Sequence, residues 1–343
     1  MSQTRVKIED AIGMVLAHDI TEIRRGEFKG AAFRKGHRIR ESDICRLQRL
    51  GKNHLYVLRI EKGYLHEDDA AVALADAFCG EGVTWRDEPR EGKISLLAAR
   101  DGLFQVDVEA LSGINMLGEV MCATRHTNSL VKQHDTVAGV RAIPLVIRSE
   151  IVDRAVGLSA PEGILKVKPL RNARAGIVIT GSEVYSGLVK DQFEPILRRK
   201  MTQVGSEVMG VVFTPDDAGY IEREIRNLLS NGADLLLVTG GMSVDPDDVT
   251  RQAILQAGAN EFLYGAPVLP GAMFMASYIG DIPVLGIPAC GLYHETTIFD
   301  LVLPRVLAGE RLTRKDLAEF GHGGLCLHCT ECRYPVCPFG KGH

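Results

Sequence analysis

An α/β fold, a three-layer α-β-α sandwich on a mostly parallel sheet preceded by a smaller α+β or β-rich region, is the class the sequence predicts. Two observations predict it. From residue 175 onward, short apolar runs alternate with amphipathic runs of helical period, strand then helix, three times over. Between residues 93 and 147 the runs are shorter and are punctuated by Gly, Asn and Asp turns, the habit of a small β-rich or α+β module.

The elements follow in order. Residues 41–50 read as a helix with Ile44, Leu47 and Leu50 on one face, stopped by Gly51, and 53–60 as a strand. Residues 68–78 form an alanine-rich helix opened by Asp68 and Asp69. Strands are expected at 94–98, 104–108, 120–123, 136–140 and 145–147. Residues 148–174, with Pro161, Gly163 and Pro169, read as a linker region, with 164–167 as an optional strand. The α/β part then gives strands at 176–180, 207–213, 235–238 and 283–287. Helices are expected at 193–204, 218–229, 249–256 and 296–307. Ile196, Leu197 and Met201 face inward on the first of these. The resulting domain plan is 1–60, 61–170, 171–311 and 312–343.

Composition excludes several function classes. With 343 residues, 45% hydrophobic and 24% charged, the chain can bury two or three cores. A formal charge of −4 leaves no electrostatic footprint for nucleic acid. No run of about 18 apolar residues is present to span a membrane. The opening MSQTRVKIED lacks the apolar core of a signal peptide, so a cytoplasmic protein is expected.

Ligands of open α/β sheets bind at the carboxyl ends of the strands. Three loops there carry chemistry: Thr180-Gly181-Ser182-Glu183, the stretch TGGMSVDPDD from Thr239 to Asp248, and Pro288-Ala289-Cys290-Gly291. Gly240 and Gly241 let a ligand approach the backbone and leave amides open to an anion. Asp245, Asp247 and Asp248 suit a divalent cation carrying that anion's charge. Against this stands the plain reading: a Gly-Gly turn, and an Asp-rich helix cap. No G-x-G-x-x-G and no G-x-x-x-x-G-K-[ST] is present, so neither dinucleotide nor P-loop chemistry is indicated.

Residues 174–311 resemble the molybdopterin-binding domain of molybdenum-cofactor biosynthesis proteins. The matching stretches are Thr180-Gly181-Ser182-Glu183, Thr239-Gly240-Gly241-Met242-Ser243-Val244, Asp248 and the turn Pro270-Gly271. Residues 8–60 are similar to the opening of molybdopterin molybdenumtransferases in Glu9-Asp10-Ala11-Ile12-Gly13, Val15-Leu16-Ala17-His18-Asp19 and Phe33-Arg34-Lys35-Gly36-His37. The resemblance implies a bound molybdopterin or its adenylylated form. Thr180, Gly181, Ser182, Thr239, Gly240, Gly241, Ser243, Asp245, Pro270 and Gly271 would line it. It implies a Mg²⁺ or molybdate site with Asp248 and Glu183 as the working acids, and assembly as a homo-oligomer. The activity implied is insertion of molybdate into adenylylated molybdopterin. The alternative is a non-catalytic carrier or maturation chaperone serving a molybdoenzyme. The sequence departs from the family in three places. Asp245 stands where the family has glycine. The Pro-Gly turn, Leu269-Pro270-Gly271-Ala272-Met273, lacks the family's flanking lysines, and Ile287-Pro288-Ala289-Cys290-Gly291 stands for Leu-Pro-Gly-Asn-Pro. A competence-damage-type amidohydrolase, which shares the domain, is the lesser rival.

The last eighteen residues hold Cys326, Cys329, Cys332 and Cys337, spaced C-x2-C-x2-C-x4-C-P. In a reducing compartment this spacing points to metal rather than disulfides. It suits Zn²⁺, or an iron–sulfur cluster given its nearness to the ferredoxin run, from which it differs by one residue before the last cysteine. His322 and His328 are further candidate ligands. Cys45, Cys79, Cys122 and Cys290 are scattered and expected mostly as small buried hydrophobes.

Overall fold

The computed structural model describes residues 3–24, 28–58, 60–159, 161–241 and 249–342. The chain forms two compact units, one of residues 1–99, 106–125 and 133–166 and the other of 100–105, 126–132 and 167–343.

In the first unit, Gln3–Lys7, His54–Leu58 and Val15–Leu16 make an antiparallel sheet around Ile8, Leu16, Leu47, Leu55 and Val57. A second antiparallel sheet runs Val120–Thr124, Thr136–Ala142, Lys93–Ala98, Val83–Thr84. The helix Glu67–Phe78 buries Ala70, Ala71, Leu74, Ala75 and Phe78, a single stripe of helical spacing. Two sequence expectations are corrected here. The expected linker contains a helix, Ser149–Ser159, and its optional strand is present as Leu165–Lys168. The helix buries Ile151, Val152 and Ala155 against the Glu67–Phe78 helix, and that packing outweighs Gly157. The expected strand 104–108 is Gly102–Val106, and Val108 instead opens a helix, Val108–Asn115. Asp107 caps that helix by accepting from the Ala110 amide at 2.9 Å.

The second unit is the α/β sandwich. Its elements are β1 (Arg174–Thr180), α1 (Phe193–Gln203), β2 (Glu207–Thr214), α2 (Ala218–Ser230), β3 (Leu235–Thr239) and α3 (Thr250–Gln256). There follow β4 (Asn260–Tyr264), β5 (Met275–Ile279), β6 (Ile282–Ile287), α4 (Ile298–Leu307) and α5 (Arg314–Glu319). The strand order is β2-β1-β3-β6-β5-β4. The first four are parallel; β5 runs antiparallel to β6 and β4 to β5. The mostly parallel three-layer sheet read from the sequence is the fold observed; β4, β5 and α5 are additions to it.

Successive strand residues point to opposite faces. Ile177, Ile179, Leu235, Leu237, Leu285 and Ile287 pack under α1 and α4, whereas Val178, Leu236, Val238 and Val284 pack under α2 and α3. These three parallel strands, β1, β3 and β6, are therefore apolar on both sides, which a sheet covered on two faces requires. The C-terminal segment joins the α1–α4 face. Phe339 is buried in that core, and Cys326, Tyr334 and Cys337 pack against it. Among the described residues no helix is long and apolar enough to cross a membrane.

Candidate functional site

Four parallel strands end on one line. Ile179, Thr239 and Ile287 stand side by side on β1, β3 and β6, and Thr180 pairs with Thr214 of β2. The two central loops lock together there. Thr180 Oγ1 donates to the Thr239 carbonyl at 2.9 Å and lies 3.3 Å from Thr250 Oγ1 at the start of α3.

Gly240 and Gly241 have φ of 81° and 56°, the left-handed region that glycine enters at no steric cost. Each is also wedged against the loop opposite. A Cβ on Gly240 would sit 2.5 Å from the Thr180 oxygens, and one on Gly241 2.3 Å from Thr250 Oγ1. The chain's own packing thus demands both glycines. The first loop is tied to the next strand end as well. The Gly181 amide donates to Thr214 O at 3.1 Å, the Ser182 amide to Asp216 Oδ2 at 2.9 Å, and the Asp216 amide back to Ser182 Oγ at 3.2 Å.

Among the described residues, the buried hydroxyls of Thr239 and Thr214 have no hydrogen-bond partner. An unmade buried hydrogen bond costs about 1–3 kcal/mol. Each hydroxyl is a position where a polar ligand or a water would be accepted. Glu183 is exposed in the single helical turn Ser182–Tyr185, its carboxylate folded back over Gly181. Beside it the Tyr185 hydroxyl donates to Tyr220 OH at 3.3 Å, a bond that raises its pKa, and Arg223 stacks 4.2 Å over the Tyr220 ring. An aromatic pair and a cation therefore border the loop.

Pro270 and Gly271 form a second group. The Pro270 carbonyl accepts from the Ile298 amide at 3.4 Å, and a Cβ on Gly271 (φ 128°) would lie 2.5 Å from Ile298 Cγ2. The turn is thereby pinned to the start of α4. The loop after β6 reaches α1 through Gly291, whose added Cβ would be 3.6 Å from the Phe193 ring. Ser243, Asp245, Asp247 and Asp248 lie outside the described residues.

The C-terminal segment packs beside that second group. Leu269 and Leu325 form a parallel bridge, with the Leu269 amide donating to Gly324 O and the Cys326 amide to Leu269 O, both at 2.8 Å. Residues 293–296 and 325–339 border a cavity of about 300 Å³ lined by all four tail cysteines, His294 and His328. Among the described residues no three His, Cys, Asp or Glu side chains converge as they would around one ion. His322 Nδ1 instead lies 3.0 Å from the Gly342 carbonyl. Of the scattered cysteines, expected mostly as buried hydrophobes, Cys122 is buried, Cys79 and Cys290 half-buried, and Cys45 exposed. Burial pushes the Cys79 and Cys122 thiols up to about 12.

Sequence reasoning missed Thr214, Asp216, Thr250 and Tyr220. Thr214 and Asp216 follow a strand as Thr180 and Ser182 do, so position alone offered a signal for them. Nothing in the sequence pairs Tyr220 with Tyr185.

Residues 176–308, within the α/β unit, match the family model described as a probable molybdopterin binding domain. Residues 5–59 match a separate model, described only as a domain of unknown function. A CinA-like protein of Mycolicibacterium vanbaalenii is 35% identical over 97 residues, 28% of this chain and 23% of that protein. One from Mycobacterium avium is 33% identical over 97 residues, 28% of this chain and 22% of that protein. The chain thus spans under a quarter of the length of these curated relatives. Among solved structures, the CinA protein of Thermoplasma acidophilum is 15% identical, covering 39% of this chain and 98% of its own, with a TM-score of 0.36. The molybdopterin biosynthesis enzyme MoaB of Thermus thermophilus is 20% identical, covering 41% and 99%, with a TM-score of 0.34.

Proposed function

We propose that the α/β unit binds molybdopterin, or its adenylylated form, at the carboxyl edge of β1 and β3. The observation that carries this is the convergence of Thr180, Gly181, Thr239, Gly240, Gly241 and Thr250 at adjacent strand ends, within the segment that matches the molybdopterin-binding model. The buried Thr239 and Thr214 hydroxyls, without a partner among the described residues, fit a polar ligand. Ser182 and Ser243 add hydroxyl donors for its phosphate. Asp248 and Glu183, with Asp245 in the same loop, are the proposed holders of Mg²⁺, which would offset charge developing on the leaving phosphate during molybdate insertion. The tail cysteines are a proposed soft-metal site, for zinc or an iron–sulfur cluster.

A second reading, a carrier or maturation chaperone for a molybdoenzyme, is favoured by a specific observation. Where the family has lysines flanking the Pro-Gly turn, this chain has Leu269 and Ala272, both exposed. An apolar surface stands where an oxyanion would need cations. Incubation with adenylylated molybdopterin, Mg²⁺ and molybdate separates the two. Release of AMP that Asp248→Ala abolishes establishes insertion. Tight pterin binding without AMP establishes the carrier, and no pterin binding at all overturns both. A homo-oligomer and a cytoplasmic setting belong to the same proposal.

A further inference from the structure

The tail cysteines do more than share a motif. All four line one cavity. Four thiolates around a single zinc ion sit within about 3.8 Å of one another, because each Zn–S bond is about 2.3 Å. Such a set leaves no room between the sulfurs. Here the four cysteines instead line the wall of a cavity of about 300 Å³. A cluster of several iron and sulfide atoms needs such room between its cysteine ligands.

The wall is also built for such a guest. Cys326 and Cys337 are half-buried and packed against the α1–α4 core, whereas Cys329 and Cys332 stand on the solvent side. The cavity is thus backed on one side by the core. Thr296 Oγ1 lies 3.3 Å from Cys332 Sγ, where its hydroxyl can donate to a thiolate sulfur. The remaining lining includes Arg333, a cation suited to a polyanionic thiolate centre, and the apolar Leu325, Leu327 and Tyr293. Those three are 62%, 69% and 83% exposed, so the cavity mouth has an apolar rim. Burial, charge and hydrogen bonds to sulfur are the levers by which proteins tune iron–sulfur centres.

We propose that this cavity holds an iron–sulfur cluster ligated by Cys326, Cys329, Cys332 and Cys337, beside the loop 293–296 at the entry to α4. The single set of four cysteines matches one cluster with all ligands from one segment. The proposal goes beyond the pterin reading and stands without it, because its residues lie on the tail and on the 293–296 loop.

The test uses the full chain, purified without oxygen and, in parallel, reconstituted with ferrous iron and sulfide. Iron, acid-labile sulfide and zinc are quantified, and the visible thiolate-to-iron charge-transfer absorption is recorded. About four irons and four sulfides per chain are expected for a cubane cluster, or two and two for the smaller type. Cys329→Ser, at an exposed ligand, should lose most of the iron and the absorption while far-ultraviolet circular dichroism shows the fold intact. Cys45→Ser, at an exposed cysteine of the first unit, should keep both. Stoichiometric zinc without labile sulfide overturns the proposal. So does failure of the reconstituted chain to retain iron, or retention of a full cluster by Cys329→Ser. Each readout is independent of pterin binding.

Discussion

At the scale of single residues, the glycine turn after β3 is a packing device before it is anything else. Gly240 and Gly241 combine positive φ with contacts to Thr180 and Thr250 that leave no space for a methyl group. Gly240→Ala or Gly241→Ala should each lower stability by about 1–3 kcal/mol in urea unfolding, ligand present or not. Thr239 gives the converse. Its hydroxyl has no partner among the described residues, so Thr239→Val should leave the free protein as stable or about 1 kcal/mol more stable, while weakening pterin binding measured by titration calorimetry. Reduced affinity with unchanged stability would identify Thr239 as a ligand contact. The thiols offer a third check. Cys79 and Cys122, pushed up to about 12, should resist iodoacetamide at pH 8 in the native protein, while exposed Cys45 reacts, as read by peptide mass mapping.

At the scale of elements, α4 links the core to both the Pro270-Gly271 turn and the tail. Its start is fixed by a capping box: Thr297 Oγ1 accepts from the Phe299 amide at 3.2 Å, and Asp300 Oδ2 accepts from the Thr297 amide at 2.8 Å. Asp300 also pairs with the buried Lys200 of α1, whose ammonium donates to Glu295 O at 2.6 Å. Thr297→Ala should cost about 1 kcal/mol, and Thr297→Ser should restore most of it in the same denaturant assay. The elements most legible in the sequence were those whose periodicity is unbroken. The apolar runs of β1, β3 and β6 and the helices between them lie within a residue or two of their predicted bounds. Ser149–Ser159 was hidden by Gly157 and by the Pro and Gly that follow. The helix opening at Val108 was hidden by an apolar run that reads equally well as strand. In both, the deciding term was a tertiary contact or a cap rather than propensity.

At the scale of the whole molecule, the two units carry different sensitivities to pH. In the first, Glu67 sits buried at the start of its helix, and its pKa is raised by burial and by the neighbouring Asp68 charge. A carboxyl with a raised folded-state pKa binds its proton more tightly folded than unfolded. Its contribution to stability is therefore fully present below the unfolded value, near 4.5, and is lost as pH rises through the folded value. Glu67→Gln should remove that loss and flatten the pH dependence of thermal unfolding above that range. A variant as pH-sensitive as the parent would refute it. By itself the sequence determined the parallel α/β class, the strand-end loops and the glycine turn, because both-face burial and turn chemistry are written in local patterns. Only the tertiary structure decided that Thr180, Thr239 and Thr250 meet. It alone showed that two threonine hydroxyls find no partner among the described residues and that four cysteines line a cavity on the α4 face. Those facts depend on register between distant strands and on where the chain's end packs, and no local pattern encodes either.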